Sequence, residues 1–208
     1  MSAARASTGS PGRLRSFDPV RVADLEHRLW AGYYLRRWPQ LLVASVRLIW
    51  LGFGLDWMRT LQGAWLMLRA IQLWQPYPDN DPDGARACMR QLYELVRLRC
   101  GEPADPARAA ALEVDWWRVH REHQYSPDSA ELARELVESV TRLYCCLFGE
   151  TEDAVRPAAV HRTRAMDLSD QWVREGCAPG SPLLPLEHAA LVRAYAALLA
   201  AVHRGKRV

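Results

Sequence analysis

An Asp or Ser followed by Pro recurs along the chain, each time just before a segment whose apolar residues have helical spacing. The five pairs are Asp18-Pro19, Asp81-Pro82, Asp105-Pro106, Ser126-Pro127 and Ser181-Pro182. Asp and Ser side chains accept hydrogen bonds from the free N–H groups of a first helical turn, and proline is tolerated there because it lacks that N–H. Because alternating β-branched runs are few, the pattern predicts an all-α chain.

Proline and glycine between the apolar segments divide the chain into seven to eight helices of one domain. The expected helices cover residues 19–37, 39–54, 57–75, 82–99, 106–124, 127–148, 152–176 and 183–204. Small and polar residues dominate residues 1–17, so we expect a flexible N-terminal tail there and an all-helical domain over residues 18–205.

The most apolar segments are residues 40–55 and 61–75, and they predict two central apolar helices of a bundle. Each is shorter than the ~20 residues that span a bilayer, and each carries a central arginine, Arg47 or Arg69, so we expect no membrane partner. An arginine in an apolar helix needs a carboxylate partner or a route to water. Alternatively, Arg47 or Arg69 lines a pocket and holds an anionic ligand.

Charge and cysteine content favour a soluble, cytoplasmic protein without a nucleic-acid partner. The chain has 27 basic and 24 acidic residues, and every basic residue except Lys206 is an arginine. These arginines are spread along the chain instead of forming a basic stripe, and no nucleic-acid-binding motif is present. The five cysteines form no CxxC pair, which is typical of reduced thiols. No apolar stretch follows the basic N-terminus, so we expect no secretory signal.

The acidic loop 79–84, Asp-Asn-Asp-Pro-Asp-Gly, resembles the first half of an EF-hand calcium loop. Such a loop needs a bidentate glutamate at its twelfth position, and this chain has Arg90 there. The same residues also suit a turn whose aspartates cap the fourth helix, and we expect that role.

Two segments share the pattern Glu-x3-Trp-x2-(Tyr/His)-x3-(Arg/Gln). The residues are Glu26, Trp30, Tyr33 and Arg37 in the first helix, and Glu113, Trp117, His120 and Gln124 in the fifth. Offsets of 4, 7 and 11 place each set on one helical stripe. If the stripes face each other, two carboxylates, an imidazole and a phenol meet inside a bundle, as in di-iron and di-manganese centres. Alternatively, the glutamates pair with nearby arginines and the tryptophans are core anchors.

A later helix adds Asp167 and Asp170, which share a face at i, i+3. The predicted metal ligands are Glu26, Glu113, His120, Asp167 and Asp170, with Tyr33, Arg47 and Arg69 as candidate catalytic residues. The Glu-x6-His spacing of Glu113 and His120 resembles that of haem-oxygenase-like di-metal oxidases. Those enzymes also carry a late His-x3-Asp-x2-His cluster, whereas His161, Asp167 and Asp170 have a different spacing here, so we assign no family.

These residues lead to three functional hypotheses. The first is a small-molecule oxidase or oxygenase of the helical di-metal type, with iron or manganese as cofactor. The second is a non-enzymatic helical protein that binds an anionic or aromatic small-molecule ligand, which would raise its melting temperature. The third is an accessory or interaction subunit, a homodimer or the partner of another protein, with an exposed apolar patch.

Overall fold

The structure is a computed structural model that describes residues 13–100 and 104–204, and these ranges are all-helical. Eight α-helices lie within them. They are α1 (Pro19–Tyr34), α2 (Trp38–Phe53), α3 (Trp57–Trp74), α4 (Pro82–Cys100), α5 (Pro106–Tyr125), α6 (Ala130–Phe148), α7 (Glu152–Arg174) and α8 (Leu183–Arg204). The predicted all-α, single-domain fold is confirmed.

Acidic side chains cap several helices at the places that the sequence predicts. Asp18 accepts from the N–H groups of Val20 and Arg21, and Asp105 accepts from that of Ala107. Asp81 accepts from the N–H of Gly84 at 2.8 Å, so the acidic loop 79–84 caps α4 as expected.

Helix α6 differs from the prediction because it begins at Ala130, three residues after Pro127. Ser129 provides its cap, since its hydroxyl accepts from the N–H of Leu132 at 3.3 Å. Ser126 instead ends α5, where its N–H donates to the backbone carbonyls of Glu122 and His123. An Asp/Ser-Pro pair therefore marks a boundary here without fixing the first residue of the next helix.

Helices that follow one another in the chain pack against each other, and α8 returns to α1. The most extensive interface joins α7 to α8. The apolar core has three parts: one mainly from α4 to α8, one from α2 to α5, and one from α1, α7 and α8. Helices α4, α5, α7 and α8 each contribute to two of these three parts.

The structure corrects the expected position of the two apolar helices, because α2 and α3 lie at the edge of the bundle. Only two residues of α2 and four of α3 are buried. Eight large apolar side chains on these helices are more than half exposed, and together we call them the outer face: Trp38, Leu42, Val43, Trp50, Trp57, Met58, Leu61 and Trp65. A helix that is apolar on all sides can lie at the centre of its own bundle, or it can lie at the edge and turn one apolar face towards a partner.

Gly54 makes the sharp turn between α2 and α3. Its φ of 61° lies in the left-handed region that favours glycine, and its N–H closes α2 on the carbonyl of Trp50. The two helix axes turn by 118° at this break. The turn therefore places α2 and α3 as two separate rods.

Two parts of the described chain are long and apolar enough to cross a membrane. One is α8, and the other is α2 taken together with α3 across their bend. Helix α8 packs on α7 and α1 and contributes to two of the three core clusters, so its apolarity has a partner within the bundle. The outer face of α2 and α3 has none among the described residues.

The segment 13–17, predicted as part of a flexible tail, packs on the bundle. Leu14 is buried, and Arg15 donates to Glu150 at 2.9 Å and to the carbonyl of Phe148. These contacts fix the segment against the ends of α6 and α8. Residues 1–12 of the predicted tail and position 205 lie outside the described residues.

Gly63 provides a test of how α3 packs on its neighbours. A Cβ at this position would lie 3.0 Å from Leu92 Cδ1 and 3.3 Å from Ile49 Cγ2. We expect Gly63→Leu to lower the free energy of unfolding by about 1–3 kcal/mol through overpacking. A Cβ at Gly52 of α2 meets nothing within 4 Å, so Gly52→Ala should raise the free energy of unfolding by up to ~1 kcal/mol. Urea unfolding measures both, and equal effects would contradict this packing.

Candidate functional site

A guanidinium group lies among the helices near the centre of the bundle. Arg162 of α7 forms an ion pair with Glu26 of α1, with 2.6 Å between Nη2 and Oε1. Its Nη1 also donates to the Tyr195 hydroxyl of α8 at 3.0 Å, and that hydroxyl donates to Glu26. The guanidinium also lies 5.9 Å from the ring centre of Trp116 in α5. One largely buried cation, whose side chain is 17% exposed, thus ties together four helices.

The surroundings of Arg162 keep it charged. Burial alone lowers the pKa of this guanidinium, but Glu26 and the neighbouring tyrosines outweigh that effect and raise the pKa well above its usual value. Burial, followed by the charge of Glu26, raises the pKa of Tyr195 well above its usual value. The tyrosine therefore acts as a neutral hydrogen-bond donor to the carboxylate.

Glu113 is a second buried carboxyl group, and it has its own partners. The Tyr93 hydroxyl donates to Oε2 at 2.7 Å, and the Trp117 indole donates to Oε1 at 3.2 Å. Burial raises the pKa of Glu113 above its ordinary value, while Tyr93 and Arg162 partly offset this effect. The low-polarity surroundings therefore favour the protonated carboxyl group.

A third set of polar contacts joins α5 to α7. His120 Nε2 lies 2.9 Å from Asp170 Oδ2, and Gln124 donates to the other oxygen of Asp170 at 2.8 Å. One turn along, His123 Nε2 lies 3.1 Å from Asp167. These pairs fix the register of α5 against α7.

Three predicted ligands line one small cavity of about 20 Å³, namely Glu26, His120 and Asp170. Arg162 and Glu187 also line it. A volume of this size holds about one water molecule. The two predicted stripes therefore do converge through Glu26 and His120, whereas Glu113 and Asp167 are not part of the cavity wall.

The residues around this cavity do not fit the predicted di-metal centre. Within the described ranges, no three His, Cys, Asp or Glu side chains are grouped to hold a metal ion. Each predicted ligand instead has a protein partner, and Arg162 supplies the positive charge that the carboxylate of Glu26 requires. Among the described residues the five predicted ligands are not brought together as one group, and Arg162, which the sequence pattern did not include, neutralises Glu26.

The predicted catalytic residues do not meet in one place either. Tyr33 packs edge-on against Tyr34 and Trp38, and it is Tyr34 whose pKa is raised to about 12 by burial and by Asp170. Arg69 is exposed on α3 and donates to Gln72 at 3.4 Å. Arg47 of α2 lines a groove between α1 and α2 whose wall includes neither Tyr33 nor Arg69. The peripheral position of α2 and α3 explains why their arginines reach solvent.

Sequence reasoning missed Arg162, Tyr93 and Glu187 as parts of the interior, and it missed the carboxylate partner of Tyr195. Arg162 is one of many arginines and has no local pattern that marks it as buried. The helical spacing of α8 places Tyr195 on a core face, which identifies its burial but not its carboxylate partner. The pairing depends on contacts between residues more than a hundred positions apart.

A larger groove lies outside the polar interior, between α1 and α2. Its volume is about 640 Å³, and the segment before α8 closes one side. Its apolar wall comes from both helices and from the 179–184 segment: Leu25, Ala31, Leu35, Val43, Ala44, Pro179 and Leu184. Small-molecule sites commonly have volumes of about 300–1,000 Å³ and mostly apolar walls.

Three arginines and a histidine also line this groove. Arg28 pairs with Asp24 at 3.1 Å, and His27 contacts Glu187, so both have carboxylate partners. Arg37 and Arg47 have no ion pair or hydrogen-bonded side chain among the residues that the structure describes. Because His27 lines the groove and Glu187 lines the small cavity, this pair lies between the two. The groove thus combines apolar walls with two available guanidinium groups.

Comparison with known proteins leaves the geometry as the basis for a functional conclusion. The chain matches no protein-family model, no curated protein and no solved structure.

We predict that the buried Glu26 carboxylate destabilises the folded protein when Arg162 is replaced. Arg162→Met should lower the free energy of unfolding by about 3–5 kcal/mol, since it leaves a buried charge unpaired. The double variant Arg162→Met/Glu26→Gln should be more stable than Arg162→Met alone. Urea unfolding of the wild type, Arg162→Met, Glu26→Gln and the double variant tests this, and additive losses in the double variant would contradict the pairing.

The raised pKa of Glu113 predicts a specific pH dependence. A carboxyl group whose pKa is higher in the folded state favours folding when it is protonated. Its contribution is complete below the unfolded pKa and is lost as pH rises through the folded pKa. Relative to Glu113→Gln, the wild type should therefore lose stability as pH rises above about 4.3, the usual glutamate value. Thermal unfolding across pH measures this difference, and a difference that grows in favour of the wild type with pH would contradict it.

Proposed function

We propose that the protein binds an anionic amphiphile, a molecule with a carboxylate or phosphate group and an apolar tail, in the groove between α1 and α2. The observation that carries this proposal is the combination of an apolar groove of about 640 Å³ with two arginines, Arg37 and Arg47, that have no ion pair within the described ranges. This develops the second hypothesis from the sequence, in which Arg47 holds an anionic ligand.

The apolar wall suits the tail of such a ligand. Leu25 and Ala31 of α1 and Leu35 at its C-cap line one side of the groove, and Val43 and Ala44 of α2 line the other. Burial of apolar ligand surface against these side chains contributes free energy in proportion to the area removed from water.

The arginines suit the charged end of the ligand. A guanidinium offers parallel N–H groups that match the oxygens of a carboxylate or phosphate. Arg37 and Arg47 are exposed and free of ion pairs within the described ranges, so binding an anion would break no existing contact. Arg28 is less available because it already pairs with Asp24.

Binding of such a ligand requires neither a metal ion nor a catalysed reaction. The polar interior lies on the other side of the His27–Glu187 contact, and its cavity of about 20 Å³ is too small for an organic substrate. We therefore assign the interior to stability and the groove to ligand binding.

We predict that wild-type protein binds dodecanoate and dodecyl phosphate more tightly than the uncharged dodecanol. Arg37→Gln/Arg47→Gln should weaken binding of the two anions by about tenfold or more, since a hydrogen bond to a charged group contributes about 1.5–3 kcal/mol. It should change dodecanol binding little. Isothermal titration calorimetry below the micellar concentrations measures these affinities.

Arg69→Gln is the matched control, because Arg69 is an exposed arginine of the neighbouring helix that does not line the groove. It should bind like the wild type. The proposal is wrong if the wild type binds neither anion, if dodecanol binds as well as dodecanoate, or if Arg69→Gln weakens binding as much as the double variant.

A further inference from the structure

We propose that the outer face of α2 and α3 seats the protein on the surface of a membrane that contains anionic lipids, with both helices lying in the lipid–water interface. This inference goes beyond ligand binding and does not depend on it. It rests on the apolar side chains that α2 and α3 expose, on their charge, and on the bend between them.

The exposed side chains of the outer face have the composition of a membrane interface. Trp57 and Trp65 of α3 are 70% and 61% exposed, and Leu61, one turn from each, is 52% exposed. Trp38 and Trp50 of α2 are also more than half exposed. Tryptophan is enriched where proteins meet the headgroup region of a bilayer, because the indole is apolar in its body and polar at its N–H.

The charge of the same segment complements anionic lipid. Residues 36–75 contain five arginines and one acidic residue, Asp56, giving a net charge of 5 − 1 = +4 in a chain whose total is +3. Asp56 is paired with Arg59. Basic residues beside an interfacial helix are attracted to phosphatidylglycerol and similar headgroups. The apolar surface and the excess positive charge therefore occur in one segment.

The bend favours a position on the membrane over one across it. Helices α2 and α3 have 16 and 18 residues, and their axes turn by 118°. A span needs about 20 residues along one axis, and the sharp bend keeps α2 and α3 from forming one continuous span. The prediction of no membrane partner rested on the lack of a span, and a helix that lies in the interface needs none.

A second copy of the chain fits the outer face less well than lipid does. In a two-fold symmetric dimer the same surface of each copy meets the other, so two segments of +4 would face each other. No acidic residue besides the paired Asp56 is present in this segment to offset that repulsion.

A membrane position also brings the outer face close to the groove. Val43 belongs to the outer face and also lines the groove, and Arg47 lies one turn further along α2. An amphiphile from the bilayer would therefore reach the groove along α2.

Vesicle co-sedimentation of the full chain tests the proposal. We expect binding to phosphatidylcholine vesicles that contain phosphatidylglycerol, with a bound fraction that falls as salt is added. Trp57→Glu/Trp65→Glu should weaken this binding about tenfold or more, because it replaces two exposed apolar groups with negative charges that the anionic lipid repels. Since the double variant keeps Arg37 and Arg47, dodecanoate binding should be unchanged, which separates this proposal from that for the groove.

Leu98→Glu is the matched control, because Leu98 is 65% exposed on α4, away from the outer face. It should bind vesicles like the wild type, and thermal unfolding should show that each variant is folded. Quenching of tryptophan fluorescence by brominated lipid provides a second measurement, and Trp57→Phe/Trp65→Phe should remove part of it. Equal loss in Leu98→Glu, no vesicle binding by the wild type, or a stable dimer that covers the outer face would overturn the proposal.

Discussion

The buried guanidinium of Arg162 is the constraint on which the arrangement of the bundle depends. A cation removed from water needs a carboxylate and further hydrogen bonds, and here Glu26 and Tyr195 provide them. These partners come from α1 and α8, the first and last helices, so the pair holds the two ends of the helical domain against α7. Glu113 and the His120–Asp170 pair extend the polar interior through α5.

The polar contacts of the interior come from helices other than α2 and α3. Helices α2 and α3 lie at the edge of the bundle, with eight large apolar residues more than half exposed. Exposed apolar area of this extent is costly in water and usually marks an interface. The groove lies at the same edge, between α1 and α2. The interior of the bundle thus provides structural stability, and the proposed binding sites lie at its edge.

The sequence predicts much of the fold because its signals are local. Capping residues such as Asp18 and Asp105 place helix starts to within a few residues, and Ser129 shows how a nearby hydroxyl shifts one of them. The convergence of Glu26 and His120 was also predictable, from matched stripes on two helices. The identity of their cation was not, because Arg162 carries no pattern that distinguishes it from other arginines. Nor does apolar periodicity reveal whether the second face of a helix meets protein, lipid or water.

Hydrogen–deuterium exchange of the full chain, with and without phosphatidylglycerol-containing vesicles, tests most directly whether function lies at the edge of the bundle. The account predicts that lipid increases the protection of amides in α2 and α3 and along the groove side of α1, and leaves those around Arg162 and His120 unchanged. Protection that changes mainly in α5 and α7, with none in α2 and α3, would contradict it and would return the functional site to the polar interior.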